Sequence, residues 1–165
     1  MKKGSLSLSV NAIVVLILAI TMLGLGLGFI KGTFRQVSTQ IEEKIAEESE
    51  PATPSGSEPI TVSRGAMITQ AGNDEVVKVA VYNPSNGPWE DEKPVIKCKE
   101  GTGLASINSP DYQSANARTI PPAGKENFNI LLKMPKAAEG TYLCEVQVPS
   151  LTPEYYKDIT IEITK

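Results

Sequence analysis

Residues 158–164, DITIEIT, place isoleucine at every second position (Ile159, Ile161, Ile163) between Asp158, Thr160, Glu162 and Thr164. A period of two is that of a strand with one face in a core and the other in water. Immediately upstream, residues 142–148 repeat the pattern: Tyr142, Cys144, Val146 and Val148 alternate with Leu143, Glu145 and Gln147. Phe128, Ile130 and Leu132 keep the same period, as do Val77, Val79 and Val81. Residues 60–63, 66–69, 95–99 and 104–107 are shorter candidates. Turn-forming runs separate these segments: Gly72-Asn73-Asp74, Asn83-Pro84-Ser85-Asn86-Gly87-Pro88, Pro121-Pro122-Ala123-Gly124 and Glu139-Gly140. Short alternating strands punctuated in this way predict an antiparallel β-sandwich over residues 60–165.

Toward the N-terminus the pattern changes twice. Residues 49–59, SEPATPSGSEP, carry Pro51, Pro54 and Pro59, which remove backbone donors and restrict their predecessors. The composition reads as a Pro/Ser linker. Before it, in residues 31–48, Phe34, Val37, Ile41 and Ile45 form a heptad-like seam among glutamines and glutamates, which predicts an amphipathic helical extension.

Residues 5–30, SLSLSVNAIVVLILAITMLGLGLGFI, contain no charged residue. As a helix they extend about 39 Å, enough to cross a hydrocarbon core of about 30 Å with some tilt. Lys2 and Lys3 flank one side, Lys31 and Arg35 the other. A signal peptide's apolar region is shorter and ends in a small-residue cleavage site, so the segment is expected to stay on the mature chain. Gly24, Gly28 and Gly32 recur every four residues, a spacing that lets a second helix approach closely, although glycine is also common in membrane helices generally.

The chain of 165 residues has a net charge of −3 and no histidine. No basic patch is present to neutralise phosphates, which argues against a nucleic-acid partner. Without histidine, Ser-His, Cys-His and His-metal chemistry is absent, and no nucleophile motif replaces it. The chain is therefore expected not to be an enzyme and to need no cofactor or metal. Asn73-Asp74-Glu75 and Glu90-Asp91-Glu92 match no calcium loop and read as exposed acidic turns. Trp89, Tyr82 and Tyr112 read as core or loop anchors, with a contact patch for a partner as the other use.

Cys98 and Cys144 fit no zinc spacing. An even pair beyond a membrane segment points to one disulfide in an oxidising compartment. Strand counting leaves Cys98 on the second or third strand of the sandwich, so the bridge either crosses between sheets or joins neighbours. The weak charge asymmetry across the helix does not orient it alone. The cysteine pair favours a cytoplasmic N-terminus and an extracellular C-terminal domain.

In Gly140-Thr141-Tyr142-Leu143-Cys144, a tyrosine stands two residues before a cysteine on a late strand. This resembles the tyrosine corner of immunoglobulin-like and fibronectin-III-like domains, which implies an inward ring at Tyr142 and a hydroxyl bonded to the backbone upstream. No tryptophan follows Cys98 where an antibody domain has one; Trp89 precedes it. The run PPAGKENFNILLKMP followed by EGTY also resembles archaeal and bacterial adhesion modules. At the other end, Lys2-Lys3-Gly4 before a long apolar helix resembles the signal of type IV pilin-like proteins, archaeal ones especially. That resemblance implies cleavage between Gly4 and Ser5, helices packed into a filament core, and β-rich heads outside. Bacterial members carry glutamate at the fifth mature position, where this chain has Ser9.

Together these readings predict an N-terminal transmembrane α-helix (1–30), its extension (31–48), a linker (49–59) and an all-β immunoglobulin-like sandwich (60–165). The expected partners are membrane lipid, copies of the same chain through the helix, and a protein or glycan at the sandwich. The expected role is structural or adhesive, in a surface filament or, alternatively, in a single-pass membrane protein that never polymerises.

Overall fold

The computed structural model describes residues 10–100, 110–113, 116–152 and 154–164, excluding the side chains of residues 35–37, 100 and 113. The proposed cleavage site at Gly4 and Ser5 and the candidate strand 104–107 lie outside the described residues. The chain divides between Glu42 and Glu43 into two units.

Most of the first unit is a helix. Helix α1 runs Val10–Glu47 without interruption and continues five residues into the second unit. Leucine, alanine and methionine favour it, and it runs unbroken through Gly24, Gly26, Gly28 and Gly32. Its apolar part is exposed on every side: each residue from 10 to 34 is open to its surroundings. Thr21 and Thr33 return their hydroxyls to the carbonyls of Leu18 and Phe29, at 2.9 and 3.0 Å. Such back-bonding satisfies a hydroxyl without water.

The second unit contains ten strands among the described residues. They are β1 (Ile60–Val62), β2 (Ala66–Gln70), β3 (Asp74–Tyr82), β4 (Trp89–Glu92), β5 (Val95–Glu100), β6 (Asp111–Gln113), β7 (Arg118–Ile120), β8 (Lys125–Lys133), β9 (Gly140–Gln147) and β10 (Tyr156–Thr164). One sheet has the order β1-β3-β8-β6, the other β2-β10-β9-β5, and β4 pairs with β7 in a small third ladder. Pairing is antiparallel throughout except for β2 with β10, which run parallel.

Counting β1/β2, β4/β5 and β6/β7 as split halves of single strands turns these orders into A-B-E-D and A′-G-F-C. That is the strand order of an immunoglobulin-like sandwich. Among the described residues the sequence reading names seven of these ten strands and passes over β4, β6 and β7. β4, β6 and β7 have three or four residues and no alternation long enough to register.

One core joins the two sheets. Val77, Val79, Val81, Phe128, Ile130 and Leu132 face Tyr142, Cys144, Val146, Ile159, Ile161 and Ile163. The alternating positions of the sequence are the inward ones. Turn chemistry closes the strands as the sequence suggests. Gly72 has φ +83°, the left-handed region where glycine carries no steric cost. Gly124 bonds back to the Pro121 carbonyl, and a Cβ there would lie 2.6 Å from Pro121 Cγ.

Strand β3 departs from simple alternation. Its outward residues Val76, Lys78 and Ala80 are buried as well, and so is Thr61 beside them on β1. The proline-rich segment before β1 is the reason. Glu50 pairs with Lys78 Nζ at 2.6 Å, and the Thr61 hydroxyl donates to the Ala52 carbonyl. Pro54 and Pro59 are buried. Just before this segment, Glu48 pairs with Arg64, whose guanidinium also donates to the Val76 carbonyl at 3.0 Å. Residues 49–59 thus lie along the sandwich, whereas their composition alone reads as a free linker.

Candidate functional site

On the head, a cleft of about 270 Å³ lies beside the end of β9. Val95 starts β5 directly opposite Gln147, which ends β9. The loop after β9 then turns back on itself: Leu151 N–H donates to the Val148 carbonyl and Tyr155 N–H to that of Thr152, both at 3.0 Å. Val95, Val148 and Leu151 give the cleft apolar walls, and Lys97, Gln147 and Tyr155 give it polar tips. At this volume, just under the usual range of small-molecule pockets, it accommodates one ring or one side chain.

A buried carboxylate fixes the loop. Glu92 is 4% exposed and accepts hydrogen bonds from the Ser150 hydroxyl and, at 3.4 Å, from the Ser150 N–H. The sequence reading of Glu90-Asp91-Glu92 as an exposed acidic turn is therefore corrected at Glu92, whereas Glu90 and Asp91 are exposed as expected. The three residues belong to β4, where Asp91 takes φ +52° at an irregularity in the ladder and Glu92 turns inward.

The three aromatic residues singled out in the sequence take anchoring places. Trp89 and Tyr112 pack against the core, and Tyr82 is half-buried. In the second unit, Tyr155 and Tyr156 are exposed, at 38% and 50%. Sequence reasoning passed over them; their signal was a pair of tyrosines behind a proline, outside any alternating run.

Cys98 and Cys144 form a disulfide. They face each other across the β5–β9 ladder, so the bridge joins neighbours in one sheet and does not cross between sheets. The reason is that β4 and β5 are two halves of one strand, which places Cys98 on the third strand. Tyr142 is buried in the core, two residues before Cys144.

On α1, a Cβ added at Gly24, Gly28 or Gly32 meets nothing within 4 Å. The helix itself does not require glycine at those positions.

No protein-family model matches the chain, and no curated protein matches it in sequence. Similarity to solved structures is found in the sandwich. A family 123 glycoside hydrolase from Clostridium perfringens is similar over 61% of this chain and 23% of its own, with 13% identity and a TM-score of 0.41. SSP-19 of Caenorhabditis elegans, an MSP-domain-like protein, is similar over 63% of this chain and 98% of its own, with 13% identity and a TM-score of 0.41. The PapD-like domain 7 of human CEP192 is similar over 70% and 91%, with 11% identity and a TM-score of 0.38.

The chain thus spans about a quarter of the hydrolase. That neighbour overturns the expectation that the chain is not an enzyme, and the exclusion is withdrawn. The physical reason is general: one sandwich scaffold carries catalytic and non-catalytic proteins alike.

Proposed function

We propose that the chain is a membrane-anchored surface protein, with α1 as anchor and the sandwich displayed outside the cell in a structural or adhesive role. The observation that carries this reading is the apolar length of α1. From Val10 to Ile30 there is no charge, and at about 1.5 Å per residue roughly 21 residues extend about 31 Å, the thickness of a bilayer's hydrocarbon core. In its most apolar 18-residue window no residue is buried. Left in water, side chains such as Leu16, Ile17, Leu23 and Leu25 present a continuous apolar surface of a kind that marks a contact with lipid or protein. The Cys98–Cys144 disulfide supports an oxidising compartment for the head.

In the finer reading the protein is a type IV pilin-like subunit, cut between Gly4 and Ser5 and assembled through its helix. Glycines that the helix does not need for itself support this assembly. The test is the mature N-terminus by mass spectrometry together with the content of sheared surface fibres. A Ser5 end and presence in the fibres are expected. An intact Met1 end on protein retained in membranes removes the pilin reading and leaves the anchor.

A second reading, a single-pass protein that binds a protein side chain or a sugar ring and does not polymerise, is favoured by the cleft beside Tyr155. Its test is mature protein absent from fibres whose binding to a glycan or peptide array is lost in Tyr155→Ala.

A further inference from the structure

We propose that residues 48–59 act as a latched cover over the outer face of the β1–β3 ladder, closed by side-chain ties and able to lift as a unit. This stands apart from the membrane reading and needs only the head.

Three observations carry it. First, the face beneath is built to be covered. Val76, Lys78, Ala80 and Thr61 all point away from the sandwich core and are all buried, Lys78 being only 7% exposed. A lysine is rarely this deep unless a partner keeps it there. Second, the ties come from side chains. They are Glu50 to Lys78 at 2.6 Å, Thr61 to the Ala52 carbonyl, Glu48 to Arg64, and Glu58 to Lys157.

Third, residues 49–59 form no strand and add none to the sheet. Regular backbone pairing begins at β1, although the Pro59 carbonyl already accepts from Tyr82 N–H. A segment held by scattered polar ties, without a ladder, opens independently of the sheet it lies on. Its prolines keep it extended and unable to join the ladder.

The charged groups around the closed cover are placed for mutual support. Arg64 lies between Glu48 and Glu75, and Lys44 reaches both Glu75 and the Asp74 carbonyl. Arg64 also ties Glu48 to the backbone of β3. Loss of one tie weakens its neighbours, so the cover is expected to lift cooperatively from Glu48 to Glu58.

The test is amine acylation of the purified full-length chain in detergent, read residue by residue by mass spectrometry, with exposed Lys97 as internal standard. In the wild type Lys78 is expected to react at least about ten-fold more slowly than Lys97, as protection by local opening requires. Glu50→Gln and Thr61→Val, which leave the sandwich core untouched, are each expected to speed Lys78 labelling about ten-fold, the effect of losing one charge-assisted or half-buried hydrogen bond. Circular dichroism is expected to be unchanged in both variants. Lys78 labelled as fast as Lys97 in the wild type would overturn the proposal, and so would labelling that neither variant accelerates.

Discussion

Reducing the Cys98–Cys144 bridge is the perturbation whose size follows most directly from the structure. The two cysteines are separated by 46 positions in sequence. Closing a loop of that length removes about 13.5 cal/mol/K from the unfolded chain, or about 4 kcal/mol at 25 °C. A sandwich of about 105 residues has an unfolding entropy near 0.2 kcal/mol/K, so the expected loss is about 18 °C in Tm. The bridge also holds β5, whose one ladder partner among the described residues is β9. The assay is thermal unfolding of the full-length protein in detergent, with and without a dithiol reductant, followed by Trp89 fluorescence. Trp89 packs against the core and is the chain's single tryptophan, so the signal belongs to the head. Comparing oxidised with reduced wild type avoids the cavity that alanine leaves at fully buried Cys144. Transitions within about 3 °C of each other would refute the reasoning, because the loop-closure term alone exceeds that shift several-fold.

Phe128 is fully buried where the two sheets meet, and Phe128→Ala is expected to cost about 3–5 kcal/mol, read as a lower urea midpoint. Ser150→Ala removes the hydroxyl donor of buried Glu92 and is expected to cost about 1–3 kcal/mol in the same assay; an unchanged midpoint would mean that water replaces it. Ile17→Lys sets a charge in the middle of the apolar helix, a penalty of about 3 kcal/mol for insertion. Its expected result is a large shift of the protein from carbonate-washed membranes to the soluble fraction, and equal retention of variant and wild type would count against the anchor.

Much of the head is legible in the sequence because a sandwich writes its core in a period of two. Val77, Val79, Val81, Phe128, Ile130, Leu132 and the isoleucines of β10 all face inward as the alternation demands. Where a segment answers to something other than that period, the reading fails. Glu92 turns inward to meet Ser150, which is 58 residues away in sequence and invisible to any local pattern. The strands β6 and β7 are too short to show alternation, and their pairing comes from β8 and β4. Residues 49–59 have the composition of a linker, yet Glu50 and Ala52 find partners on β3 and β1 that composition does not encode. The cleft was missed for a related reason: Val95, Gln147 and Tyr155 come together only through the pairing of β5 with β9 and the turn after it.

The parallel pair β2–β10 gives the head a mechanical character. The chain enters the second sheet along β2 and leaves it along β10, side by side over five registered positions from Thr160–Ala66 to Thr164–Gln70. Because the two run in the same direction, tension between them acts along the strands and loads all the bonds of the pair at once. An antiparallel hairpin pulled at its open end unzips one bond after another. A load applied between Ala66 and Thr164 is therefore expected to be resisted until the whole pair shears.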